Sequence, residues 1–203
     1  MSAVLDGWVK PRLDPVLDRL AKKLAATGVG ADTVTVVACA VGLAATGAIA
    51  FGYLWSGLAL LLISRLGDGL DGAVARLEGK TDYGGFLDIV LDFVFYGAIP
   101  LGFVLLDPAA NAVAGAVLIF TFYINGASFL AFAVMAERRG LSSDARGEKS
   151  IFFTTGLAEA TETILLFVAF CLLPASFATL AYVFAALTAY TAVSRIVLAR
   201  RSF

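Results

Sequence analysis

Hydrophobic residues fall into six long stretches, at about 33–52, 56–77, 84–106, 111–136, 150–173 and 176–199, separated by short polar breaks. Each is long enough to cross the hydrocarbon of a bilayer, which takes roughly 20 helical residues. The chain before them reads differently. Between 3 and 27, Leu5, Val9, Leu13, Val16, Leu17, Leu20 and Leu24 recur mostly at spacings of three and four, with Lys10, Arg12, Asp14, Asp18, Arg19, Lys22 and Lys23 largely on other faces. That pattern predicts an amphipathic helix lying on a membrane surface, its start blurred by Pro11 and Pro15. The predicted fold is all-α: a juxtamembrane amphipathic helix within residues 1–28 and a six-helix transmembrane bundle over 33–199. They form a single membrane domain over 1–203, because no polar block is long enough to fold alone.

Composition agrees with a membrane protein. Of 203 residues 60% are hydrophobic, and the mean hydropathy of +0.90 lies far outside the range of soluble domains. The net charge of −1 says little, but the placement of Lys and Arg says more. Six spans put both termini on one side. The basic residues of the first helix, Arg76 and Lys80, then Arg138, Arg139, Arg146 and Lys149, and finally Arg195, Arg200 and Arg201 all fall on that side, while the opposite loops contain only Asp107. By the positive-inside rule that side is the cytoplasm. The expectation is an integral membrane protein, of the inner or plasma membrane in a bacterium, with both termini and the active site facing the cytoplasm. No cleavable signal peptide is expected, since the N-terminus is charged and lacks an apolar core, and no nucleic-acid partner is expected.

The chain contains no histidine, so acid–base chemistry near neutral pH falls to carboxylates, Lys, Tyr or water. Cys39 and Cys171 lie in separate apolar stretches without metal-ligand spacing and read as small core residues.

Chemistry concentrates between Gly67 and Asp92, GDGLDGAVARLEGKTDYGGFLDIVLD. Here Asp68, Asp71, Asp88 and Asp92 lie on two segments otherwise apolar enough for a bilayer. One carboxylate at the centre of a membrane helix costs roughly 2.5–3.5 kcal/mol on insertion scales, so four together demand a compensating cation. At about 100° per residue, Asp68, Asp71, Gly72, Ala75 and Arg76 share a helical face, with Arg65 one turn deeper, and Asp88 and Asp92 share theirs with Gly84 and Gly85. A short polar turn at Glu78–Tyr83 predicts an antiparallel hairpin. At about 1.5 Å per residue the aspartates of the two helices then meet at matching depth.

Oxygen-only ligands select hard cations such as Mg²⁺, Mn²⁺ or Ca²⁺. Four carboxylates suit two such ions roughly 3.5–4 Å apart, an arrangement that clamps a pyrophosphate. Glycines on the same faces admit a phosphate to the backbone, and Arg76 offers its oxygens a fork of donors. The aspartates could instead cap helices or pair with Arg65 and Arg76.

At these positions the chain resembles the CDP-alcohol phosphatidyltransferases, whose pattern is D-x2-D-G-x2-A-R-x8-G-x3-D-x3-D; Asp68, Asp71, Gly72, Ala75, Arg76, Gly84, Asp88 and Asp92 follow it in order. One departure is that seven residues, not eight, separate Arg76 from Gly84, a slip that falls in a loop. The resemblance implies an integral membrane enzyme of phospholipid biosynthesis that moves a phosphatidyl group from a CDP-lipid, such as CDP-diacylglycerol, to an alcohol acceptor and releases CMP. It implies two divalent cations, Mg²⁺ or Mn²⁺, on Asp68, Asp71, Asp88 and Asp92, with Asp92 as catalytic base, and Gly72, Arg76 and Gly84 seating phosphates. It also favours a homodimer. The family often carries a Pro-Asn-x-x-Thr stretch lining the nucleotide pocket, and Asp32 and Thr35 sit at the corresponding spacing, with Ala31 in place of proline. From the residues alone, Asp32 reads equally as a helix N-cap and Thr35 as an ordinary membrane-helix hydroxyl.

Further along, Thr155, Glu159, Glu162 and Thr163 share a helical face within an apolar stretch. Buried glutamates mark functional sites by default in membranes, which makes Glu159 and Glu162 candidates for an acceptor-alcohol pocket; pairing with Arg65, Arg195 or Thr hydroxyls is the structural alternative. The segment Arg138–Lys149 reads as a solvated connector or as a receiver for an anionic head group. Tyr123, Asn125 and Ser128 read as interhelical bonding groups, and Arg195, Arg200 and Arg201 as a cytoplasmic anchor. Two other functions use buried carboxylates: an intramembrane aspartate-rich prenyltransferase, which needs separated aspartate motifs and more spans, and an ion-coupled transporter, which needs a repeated broken-helix pair.

Overall fold

The structure, a computed structural model, describes residues 6–140 and 160–203, with side chains from Asp14 onward. Among the described residues seven α-helices follow in order: α1 Asp6–Ala25, α2 Ala31–Ala50, α3 Leu54–Glu78, α4 Asp82–Leu106, α5 Pro108–Arg138, α6 Ala160–Leu172 and α7 Phe177–Ser202. No strand occurs among the described residues. Among the described residues the all-α expectation holds, and element boundaries lie within a few residues of the apolar stretches, save the start of the stretch at 150–173, which lies outside the described residues. The amphipathic helix runs through both Pro11 and Pro15.

Local chemistry sets the breaks. Thr81 caps α4, its Oγ1 accepting the Gly84 N–H at 2.9 Å. Asp107 caps α5, its carboxylate accepting the Ala110 N–H at 3.1 Å, and Pro108 follows where a missing N–H is harmless. Gly79, at φ 101°, ends α3 in a conformation that residues with a Cβ rarely adopt.

Among the described residues four helical segments are long and apolar enough to cross a membrane: Ala31–Ala50, Asp82–Leu106, Pro108–Arg138 and Pro174–Ser202. The six spans of the sequence reading are therefore met only in part. Helix α3 has the length, 25 residues, but Arg65, Asp68, Asp71, Arg76 and Glu78 lower its apolar character. Helix α6 has 13 described residues.

Packing adds a third helix to the predicted hairpin. Helix α2 packs along both α3 and α4, whereas α3 and α4 make little backbone contact with each other. Helix α5 packs on α7, and α1 lies against α3 through Leu17 and Ala21 on Ala73 and Val74. The interior is aromatic: Phe95, Phe103, Phe167, Phe170 and Phe177 are fully buried, with Phe103 stacked on Phe177 at 5.2 Å between centroids. Lipid tails are as apolar as these rings, so close packing, not escape from water, holds the helices together. Tyr53 and Trp55 are exposed at the α2–α3 turn, as amphipathic rings at a membrane interface are.

Candidate functional site

Asp68 on α3 and Asp88 and Asp92 on α4 each present a carboxylate oxygen, and these oxygens lie within 4.8 Å of one another. The carboxylates thus converge between two helices that meet through side chains, with α2 packed along both. Asp71 stands outside this trio. It is buried, lines the adjoining cavity, and its Oδ2 has no hydrogen-bond partner. A buried carboxylate oxygen without a donor is expensive unless something else satisfies it. Grouped oxygens beside an orphaned one fit a hard divalent cation, and nothing in the set favours a soft metal.

The cavity beside the trio has a volume of about 540 Å³ and is walled by three elements. Helix α2 and its N-cap contribute Gly30, Asp32 and Thr35; α3 contributes Asp71, Gly72 and Arg76; α4 and the turn before it contribute Thr81, Gly84, Gly85 and Asp88. The N-termini of α2 and α4 both open here, and helix N-termini favour anions through unpaired N–H groups. Gly84 is tightly hemmed: a Cβ there would lie 3.0 Å from both Asp32 Oδ1 and Thr81 Oγ1. Asp32 is not the N-cap, a place taken by Gly30; it sits within the first turn of α2, which leaves its carboxylate to the cavity wall. Thr35 donates to the Ala31 carbonyl at 3.0 Å. Glu78, passed over in the sequence, accepts the Ala31 N–H at 3.4 Å and joins the same wall.

Cations complete the picture. Arg65, with a side chain only 9% exposed, places Nη1 2.8 Å from Asp92 Oδ1 and 3.3 Å from Asp68 Oδ1. Of the pairings considered for the aspartates, this one occurs, and its signal was the three-residue spacing of Arg65 and Asp68. Arg76 lines the cavity but pairs with Asp18 of α1 at 3.1 Å, a partner that only the packing of α1 supplies. Arg195 is no surface anchor. Its Nη1 donates to the Asn125 carbonyl and Oδ1, both at 2.9 Å, and to Ser128 Oγ at 2.7 Å, pinning α7 to α5. Glu162 is separate from the cavity lining, and its Oε2 is buried without a hydrogen-bond partner. Glu159, with Thr155, Arg146 and Lys149, lies outside the described residues.

A model of the CDP-alcohol phosphatidyltransferase family matches residues 28–197. Inner membrane protein YnjF of Escherichia coli is 45% identical over 193 residues, 95% of this chain and 94% of that protein. Archaetidylinositol phosphate synthase of Methanothermobacter thermautotrophicus is 42% identical over 91 residues, 44% of this chain and 43% of that protein. The fold is also that of phosphatidylinositol phosphate synthase (PgsA1) of Mycobacterium tuberculosis. Its structure with CDP-DAG bound has a TM-score of 0.70 at 21% identity, covering 91% of this chain and 94% of that one. Its complex with manganese and citrate has a TM-score of 0.72 at 22% identity, covering 90% and 88%. The match takes in both aspartate-bearing helices and every wall of the cavity, so this integral membrane protein belongs to the CDP-alcohol phosphatidyltransferase family.

Proposed function

We propose that the acidic trio and the cavity beside it carry out the family's reaction, transfer of a phosphatidyl group from a CDP-lipid to an alcohol with release of CMP. The observation that carries this reading is the convergence of Asp68, Asp88 and Asp92 next to the unsatisfied oxygen of Asp71. Two divalent ions, Mg²⁺ or Mn²⁺, held by these four carboxylates would neutralise the pyrophosphate and the departing CMP.

The remaining steps belong to the chain. Asp32, Thr35 and the N-termini of α2 and α4 wall the nucleotide end of the cavity, where N–H groups meet phosphate oxygens. Gly72 and Gly84 let the pyrophosphate approach the backbone, and Arg76 exchanges Asp18 for a phosphate oxygen. The acceptor oxygen then bonds to the phosphorus that bears the lipid, and the bond from that phosphorus to the CMP oxygen breaks. CMP leaves with the electron pair, and Asp92 takes the hydroxyl proton. Arg65 occupies Oδ1 of Asp92, so Oδ2 is the oxygen assigned to that proton.

We assign the chain six spans, counting α3 and the apolar stretch at 150–173, with the cavity and both termini at the cytoplasmic face; the Lys and Arg distribution supports this. Glu159 and Glu162 are assigned to the acceptor side, where carboxylates bind polyol hydroxyls. The test is a screen of alcohols with CDP-diacylglycerol and Mg²⁺ or Mn²⁺ in detergent, scored by lipid product and CMP. Inositol phosphate heads the screen, because one relative is named an archaetidylinositol phosphate synthase and a protein of the same fold a phosphatidylinositol phosphate synthase. Metal-dependent CMP release is expected; its absence with every acceptor overturns the reading.

A further inference from the structure

Arg65 is held more elaborately than an incidental ion pair requires. Its Nη1 touches carboxylates from two helices, Asp68 on α3 and Asp92 on α4. Its Nη2 donates to Ser64 Oγ at 3.3 Å, and that hydroxyl donates to the Ala38 carbonyl of α2 at 2.7 Å. The guanidinium carbon lies 3.6 Å from the centroid of Phe95, a ring itself fully buried. Helix α2 makes room for this cradle with Gly42, where a Cβ would fall 2.6 Å from Phe95 Cδ2 and 2.9 Å from Ser64 Oγ. Three helices therefore converge on one buried cation.

The electrostatics of that arrangement have a direction. Carboxylates crowded in a medium of low dielectric repel one another, and a fixed positive charge between two of them relieves part of the strain. The same charge repels any divalent ion that approaches those oxygens and occupies lone pairs the ion would use.

We propose that Arg65 is a cation built into the acidic site, which clasps Asp68 to Asp92 and competes with divalent ions for their oxygens. This rests on the reading that those carboxylates hold the metal. Arg65 is a positioning residue: it acts through Asp68 and Asp92. Its competition loosens metal binding, so the site fills as a function of free ion concentration.

The test uses the full chain in detergent, with melting temperature read in EDTA and in saturating Mn²⁺, and Mn²⁺ binding followed by the electron paramagnetic resonance of the free ion. In Arg65→Met the melting temperature falls in EDTA and largely recovers with Mn²⁺, and the Mn²⁺ dissociation constant drops about tenfold, the worth of a charge-assisted hydrogen bond. Arg65→Lys keeps the charge and stays near wild type. A purely structural arginine would give the same melting loss with and without Mn²⁺, and an arginine that merely orients ligands would weaken Mn²⁺ binding on removal; either result overturns the proposal. If Arg65→Met does not fold, Arg65→Gln, which keeps shape and polarity, decides by the same constant, and an unchanged or larger value overturns it. Failure of wild type to bind Mn²⁺ overturns the metal reading itself, whereas binding that is indifferent to Arg65 overturns only this inference.

Discussion

Arg76 Nη2 lies 3.1 Å from Asp18 Oδ1, so the arginine assigned to the pyrophosphate is tied to the amphipathic helix α1. Both side chains are about half exposed, at 50% and 52%, and such pairs contribute about 0–1 kcal/mol. A phosphate can therefore take Arg76 at little loss. Asp18→Asn is expected to shift the melting temperature by less than about 4 °C and to leave turnover nearly intact. Arg76→Ala should lower kcat/KM for the CDP-lipid about a hundredfold, as loss of a donor to developing charge does. Paired melting curves and initial rates check both.

Asp92 separates binding from chemistry. Asp92→Asn should keep the nucleotide bound while turnover falls by about 10²–10⁴, the span that general-base removal produces. Equilibrium binding of CMP beside CMP release from the lipid measures the two. Near-normal release would show the base assigned wrongly.

Chelation should stop turnover reversibly. After EDTA, Mg²⁺ or Mn²⁺ is expected to restore CMP release, because four carboxylates without thiol or imidazole partners favour hard ions. Asp71→Asn should reduce the number of Mn²⁺ ions bound at saturation, since its buried Oδ2 has no other partner.

Two glycines should fail differently. At Gly126 on α5 an added Cβ runs into the Phe93 ring of α4, and overpacking of that kind costs about 1–3 kcal/mol. Gly126→Ala should lower the melting temperature and spare KM. At Gly84 the added carbon sits 3.0 Å from Asp32 Oδ1 and Thr81 Oγ1, at the cavity wall. Gly84→Ala should weaken CMP binding and leave stability close to wild type.

Glu162 tests the acceptor side. Replacing it with Gln should raise the acceptor KM by about tenfold, the worth of a lost charge-assisted hydrogen bond, with the CDP-lipid KM unchanged. An unaltered acceptor KM removes Glu162 from that pocket.

The order and type of the helices were legible in the sequence, because apolar runs the length of a bilayer and period-3.6 patterning are properties of consecutive residues. So were the four aspartates, since carboxylates in apolar helices violate the pattern around them. What lay beyond reach was which helix stands beside which. The short turn at Glu78–Tyr83 predicted an antiparallel hairpin with its aspartates at matching depth, and carboxylates of the two helices do converge, but that α2 packs along both was not legible. The partners of Arg65, Arg76 and Arg195 followed from that packing. Asp92, Asp18 and Asn125 are distant in sequence from the arginines they hold, and a long flexible cation takes whichever oxygen the fold brings near. Sequence alone determined that charge is buried here and on which helices; tertiary structure decided what neutralises it, because Coulomb energy depends on distance in space and not along the chain.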